Sequence, residues 1–209
     1  MRAETIASLT TAAGTLVLAV ATFAATRSAN RSSRLAEQSL LAGLQPVLVG
    51  ARLDDPRQKI SFMDGHWVAV EGALAAAEEA DDGVIYLVLP VRNAGSGVAV
   101  IQGWHPVGEQ QPGDPHQPVE EFRMHGRDMF IAPGELGFWQ AAIRDVTDPD
   151  RQQLSAAIRD RERVAVDVLY SDIHGGQRAI SRFSMMPAHD RWMSSVARHW
   201  VIDGRNPRH

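Results

Sequence analysis

The feature that most constrains this chain is an uncharged run of 22 residues near its start, residues 5–26. Arg2 and Glu4 stand before it; Arg27, Arg31 and Arg34 come after it. At about 1.5 Å of rise per residue, a helix of that length just crosses a bilayer core of about 30 Å. Three fates compete for such a run. A cleaved signal peptide wants a net positive start, a short apolar core and a small-x-small site. Ala19-Val20-Ala21 supplies the site, but Glu4 offsets Arg2 and three arginines come at once after the run. A soluble core helix is the plainer alternative, since the many Ala, Thr and Ser residues make the run only moderately apolar. Span length and flanking charge favour a retained transmembrane anchor within residues 1–26, with residues 5–26 in the bilayer.

Arginines near the ends of a span set its orientation. They place the C-terminal side in the cytoplasm and the protein in the plasma membrane as a single-pass chain. Ala7, Thr11, Thr15 and Ala19 recur every four residues, a spacing that lets a second helix approach. Residues 27–45 contain no Pro and continue as a juxtamembrane stalk helix carrying Leu35, Leu40, Leu41 and Leu44, ended by Gly43 and Pro46. Homo-oligomerisation through the anchor or the stalk is one expectation from these features.

Residues 46–209 suit one domain with a core of its own. Net charge is −4, and residues 1–45 carry +2 of it, so the domain carries −6. A negative domain holds a phosphate backbone poorly, which argues against nucleic acid as a partner. With no cysteine, disulfides, thiol catalysis and thiolate metal sites are excluded. Only Lys59 among the 21 basic residues is a lysine, an Arg bias that reads as GC-rich coding.

The domain reads as short strands punctuated by Gly, Pro and Asp. Residues 46–52 form a strand, and residues 59–63 and 66–70 form a hairpin around Asp64-Gly65. Residues 73–82, rich in Ala and acids, read as a helical turn or solvated loop. Residues 83–92 are the most apolar run after the anchor and predict a central strand, and residues 98–104 the next. Residues 105–118 hold four prolines and read as a loop. Further strands are expected at 128–132 and 136–143. Asp148-Pro149 signals a helix start, with Leu154, Ala157 and Ile158 on one face and an end near Glu162. Residues 164–171 alternate as a half-buried strand, and residues 177–186 return after His174-Gly175-Gly176. Residues 192–200 fit a strand better than a helix. The fold class is mainly β: an antiparallel immunoglobulin-like β-sandwich with one crossing helix, behind the anchor and stalk helices.

The candidate chemical motifs are weak. Gly95-Ser96-Gly97 after a strand resembles a phosphate loop, but position 100 is Val and residues 98–101 are β-like, so the glycines are expected to supply positive φ in a tight connection. Eight histidines include no His-x-x-x-His pair, so neither a metal nor any other cofactor is expected. No Gly-x-Ser-x-Gly elbow appears, and Ser181 and Ser184 lie on an expected strand. Trp67, Trp104, Trp139, Trp192 and Trp200 are expected to pack in the core or at sheet edges. Arg178 and Arg182 are expected to face Asp167, and Arg159, Arg161 and Arg163 to end the helix in solvent.

The order of anchor, stalk and Gln45-Pro46-Val47-Leu48-Val49 carries one resemblance, together with Val91-Arg92-Asn93-Ala94-Gly95-Ser96-Gly97-Val98-Ala99 and Val168-Leu169-Tyr170-Ser171-Asp172 before Gly175-Gly176. The chain resembles bacterial membrane-anchored proteins, common in actinobacteria, with an immunoglobulin-like β-sandwich. That resemblance implies the fold and the single anchor, and it implies no activity and no site residue. The expected role is a membrane-held interaction module that meets a protein partner, with no catalytic residue assigned. The alternative is a tethered hydrolase using a cluster around His105, His125 and Asp172.

Overall fold

The computed structural model describes residues 2–108 and 114–203, and side chains are described from residue 16 onward except at 17, 38, 41 and 42. The chain divides into two compact units at Gly43/Leu44.

The first unit is one helix, α1 (Arg2–Gly43), so the expected anchor and stalk form a single uninterrupted element ending where Gly43 was expected to stop it. The first part of the expected span, residues 5–15, lies outside the residues with described side chains. The same holds for Ala7, Thr11 and Thr15, while Ala19 is exposed. Among the described residues no helix is long and apolar enough to cross a membrane. Leu16, Leu18, Val20, Phe23, Leu35 and Leu40 are exposed along α1. Thr22 and Thr26 donate their hydroxyls to the carbonyls one turn back, Thr22 to Leu18 O at 2.8 Å and Thr26 to Thr22 O at 2.9 Å.

The second unit is mainly β, with antiparallel pairing throughout the described ladders. Its strands are β1 (Leu48–Gly50), β2 (Gln58–Ser61), β3 (Trp67–Val70), β4 (Leu74–Glu79), β5 (Ile85–Asn93), β6 (Ala99–Val107), β7 (Arg123–Ile131), β8 (Leu136–Ile143), β9 (Val164–Ser171), β10 (Ala179–Ala188) and β11 (Arg191–Val201). A helix, α2 (Arg151–Arg159), connects β8 to β9. β5 is the centre of one layer. It pairs β8 along 85–92 on one edge, while β4 and β1 share the other edge end to end. The second layer runs β11-β10-β9-β6-β7, and β4 joins it through Leu74 and Ala75. Both layers contribute to one core. Leu87, Leu89 and Trp139 come from the first, and Ile101, Val166, Val168, Tyr170 and Phe183 from the second.

The outer faces are covered too. The β2–β3 hairpin lays Ile60, Phe62, Val68 and Val70 over Tyr86 and Val88. Phe122, beside a 3-10 turn at Val119–Glu121, packs on Leu169 and Ile180 of the other layer. β9 is therefore buried on both faces, not half-buried as its alternation suggested. Residues 74–79 form strand β4, where a helical turn or loop was expected. Ala and Glu favour helices, but pairing with β5 decides the outcome, and the small Ala75 and Ala77 fit under the core. The segment 105–118 is likewise strand as far as Val107. α2 starts two residues later than Asp148-Pro149 suggested. Asp148 Oδ1 accepts the Asp150 N–H at 3.0 Å, and the α-helical bonding begins with Leu154 N to Asp150 O.

The last strand holds a further departure. Trp192 and Val196 face the core, but the register slips between Arg182 and Phe183, leaving Ala197 unpaired. One extra residue in a strand reverses every side chain beyond it. Arg198 and Trp200 accordingly lie on the outer face, opposite Arg182 and Ile180, and His199 turns inward opposite Ser181.

Candidate functional site

The side chains that most resemble catalytic machinery meet where β1 approaches the second layer. Ser181 Oγ lies 3.2 Å from His199 Nδ1 and 3.2 Å from Tyr170 Oη, and Tyr170 Oη is 3.2 Å from the same nitrogen. No motif in the chain hints at this meeting, because the Ala197 bulge creates it. A serine nucleophile must hand its proton to the histidine and reach its substrate. Here Leu48 O, 3.1 Å from Ser181 Oγ, competes with the histidine for the Ser181 proton, and Ser181 is 0% exposed. Leu48 N in turn donates to Tyr170 Oη at 3.1 Å. The three side chains thus serve the outer edge of β1, where two hydroxyls stand in for a neighbouring strand. Burial lowers the His199 pKa and raises that of Tyr170, which keeps both neutral.

The His105, His125 and Asp172 cluster is not assembled. His105 lies on β6 opposite Asp167, its ring 5.8 Å from Phe122. His125 on β7 accepts the indole N–H of Trp139 at 3.2 Å, and burial, then Arg127, lowers its pKa. Asp172 closes the turn before β10 by accepting Gly176 N at 2.8 Å. Among the described residues no group of three or more His, Asp or Glu side chains could hold a metal ion.

The Gly95-Ser96-Gly97 loop binds the chain itself. A Cβ on Gly95 would lie 2.6 Å from Val47 N and 2.7 Å from Pro46 Cα, and one on Gly97 would strike Leu44 O. Neither glycine has positive φ, so the expected reason for them was wrong: they permit close backbone approach. Asn93, which sequence reasoning passed over, organises this contact. Fully buried, it accepts Val47 N at 3.2 Å and Gly95 N at 3.0 Å, and it donates to Gly97 O at 2.6 Å and Ile131 O at 3.0 Å.

Charged side chains elsewhere are largely paired. Arg182 and Asp167, both 0% exposed, share bonds of 2.7 and 2.8 Å, and Arg182 also donates to Asp114 O at 3.1 Å beneath the segment that covers the sheet. Arg178, expected to join them, pairs with Asp203 instead. Arg161, expected in solvent, donates to His189 O and Arg191 O and lies 4.8 Å over Trp192. Arg123 holds Asp148 and Asp150 at the start of α2. Asp64, in the exposed turn of the β2–β3 hairpin, takes both Arg144 bonds and the Tyr86 hydroxyl. Burial alone would push its carboxyl up, but these donors and the His66 N–H hold it at about 2, while burial and Asp64 push Tyr86 up to about 12. Trp104, Trp139 and Trp192 are buried as expected, but Trp67 is exposed beneath Lys59.

A cleft of about 400 Å³ lies between α2 and the β6 and β9 strands, lined by Leu154, Ala157, Val107 and Val164. Glu162 and Arg163 are its only described ionisable groups. More conspicuous is β7, which pairs only with β6 among the described strands. Met124 (63% exposed) and Phe130 (61%) project from it. The chain matches no protein-family model, no curated protein and no solved structure.

Proposed function

We propose that this protein is a membrane-tethered, non-enzymatic interaction module with an immunoglobulin-like β-sandwich of the kind seen in actinobacterial membrane-anchored proteins. Residues 5–26 hold it in the plasma membrane, residues 44–203 carry the domain on the cytoplasmic side, and β7 is the edge that meets a protein partner. The observation that carries this reading is β7 itself, which pairs with β6 at residues 123–124 and 129–131, has no described strand on its other edge, and carries the exposed Met124 and Phe130 on either side of the interruption. Such an edge is a template for an added strand unless a partner or a device covers it. The exposed Leu16, Leu18, Val20 and Phe23 on α1, and the inward bonding of Thr22 and Thr26, suit a helix in lipid, where each polar group must find its partner within the helix.

A photoreactive residue at position 124 or 130 of the full-length protein in intact cells tests the partner face. A discrete adduct from both positions, and not from Ile173 at an exposed turn, is the expected result. Equal labelling at all three would remove β7 from the proposal. Carbonate extraction tests the tether: release of the full-length chain from membranes would overturn it.

A further inference from the structure

We infer that Arg27, Arg31 and Arg34 form an anionic-phospholipid site on one face of α1, reading the phosphodiester head groups of the leaflet that the domain faces. This rests on the tether proposed above. At 3.6 residues per turn, positions 27, 31 and 34 fall within an arc of about 60°. The three side chains are exposed and line one shallow groove with Phe23, Asn30 and Leu35. No carboxylate occurs on the chain between Glu4 and Glu37, so Arg27 and Arg31 have no acid within one helical turn, and the nearest acid on α1 is Glu37, three residues past Arg34.

Depth and direction agree with this. With residues 5–26 in the hydrocarbon, Arg27 sits at the first head groups, and Arg34 lies about 10 Å further along the axis. Helical side chains lean toward the N-terminus. The guanidinium groups of Arg31 and Arg34 therefore tilt back toward the bilayer, and a long arginine stem spans the remaining gap. Phe23, one turn before Arg27 on the same groove, places an apolar ring beside the acyl chains. A phosphodiester carries the charge and the paired oxygens that a guanidinium fork matches. Each arginine near an anionic surface is worth roughly a 5-fold preference.

The test is native mass spectrometry of the full-length protein released from mixed micelles of phosphatidylglycerol and phosphatidylcholine. The expected result is retention of phosphatidylglycerol over phosphatidylcholine by at least 10-fold, falling to near parity in R27Q/R31Q/R34Q and only partly kept in R27K/R31K/R34K, which preserves the charge but not the guanidinium fork. An unchanged preference in the Gln variant would overturn the proposal. So would equal retention of the two lipids together with Arg-dependent binding of inorganic phosphate, since the source would then be free anion. Carbonate extraction of the same protein separates the two ideas. Release from membranes with the lipid preference intact would sink the tether alone, whereas firm retention without the preference would sink the arginine site alone.

Discussion

Asn93 offers the sharpest test of how this domain is held together. Its side chain satisfies two N–H groups and two carbonyls from three separate segments, and it is wholly buried. Asn93→Ala removes all four bonds at once. Carbonyls tolerate the loss better than N–H groups do, and a buried group left unpaired costs about 1–3 kcal/mol. The total comes to about 4 kcal/mol, a large share of the roughly 5–15 kcal/mol typical of a domain. For a protein of this size that is a fall in Tm of about 8–16 °C. Asn93→Asp separates the donors from the acceptors. The carboxyl still accepts Val47 N and Gly95 N, but its second oxygen meets the Gly97 and Ile131 carbonyls unless it carries a proton. The folded state therefore holds that proton more tightly than the unfolded state. Stability of the Asp variant is then greatest at acid pH and falls as pH rises above the unfolded carboxyl pKa of about 3.9. Urea unfolding of the full-length protein in detergent, monitored by tryptophan fluorescence at about pH 4 and about pH 7, reads both effects. An Ala variant within about 1 kcal/mol of the parent, or an Asp variant whose deficit does not shrink at the lower pH, would refute the reasoning.

Three other outcomes are expected. Gly97→Ala must displace the Leu44 carbonyl and should cost about 1–3 kcal/mol, whereas Gly126→Ala, with open space around it, should stay within about 0.5 kcal/mol in the same assay. Asp64 has a pKa lowered from 3.8 to about 2, so the stability it contributes is complete above pH 3.8 and is lost as pH falls toward 2; Asp64→Asn should flatten that acid limb in a pH series of Tm. Ser181 should remain unlabelled by a fluorophosphonate probe in the folded protein, and covalent labelling there would reopen the hydrolase alternative.

Much of the β framework was legible because period-two patterning and turn residues report it directly. The Asp-Gly hairpin and the 164–171 strand are of this kind, while the 85–93 strand was legible as the most apolar run of the domain. The elements that escaped had a physical cause in each case. β4 was hidden because Ala and Glu speak for a helix when no neighbouring strand is known. The full burial of β9 depends on Phe122, which arrives from about 45 residues earlier in the chain. The inward turn of His199 needs the Ala197 bulge, and no pattern in residues 192–200 announces it. Asn93 looks like an ordinary loop polar residue until register places four backbone groups around it. The candidate site was less legible still. His105, His125 and Asp172 share a chemistry but not a neighbourhood, while the exposure of Met124 and Phe130 is a property of sheet order.

The short first strand has a mechanical meaning. β1 engages β5 through only three residue pairs, and its other edge is held by Tyr170 and Ser181. Tension drawn through residue 44 would therefore reach these bonds and the Asn93 contact to Val47 within a few residues of one another, so that they share the load. A protein moored at that end would resist being tugged up to a threshold and then yield abruptly, shedding β1 while the layer built on β9 and β10 stayed whole.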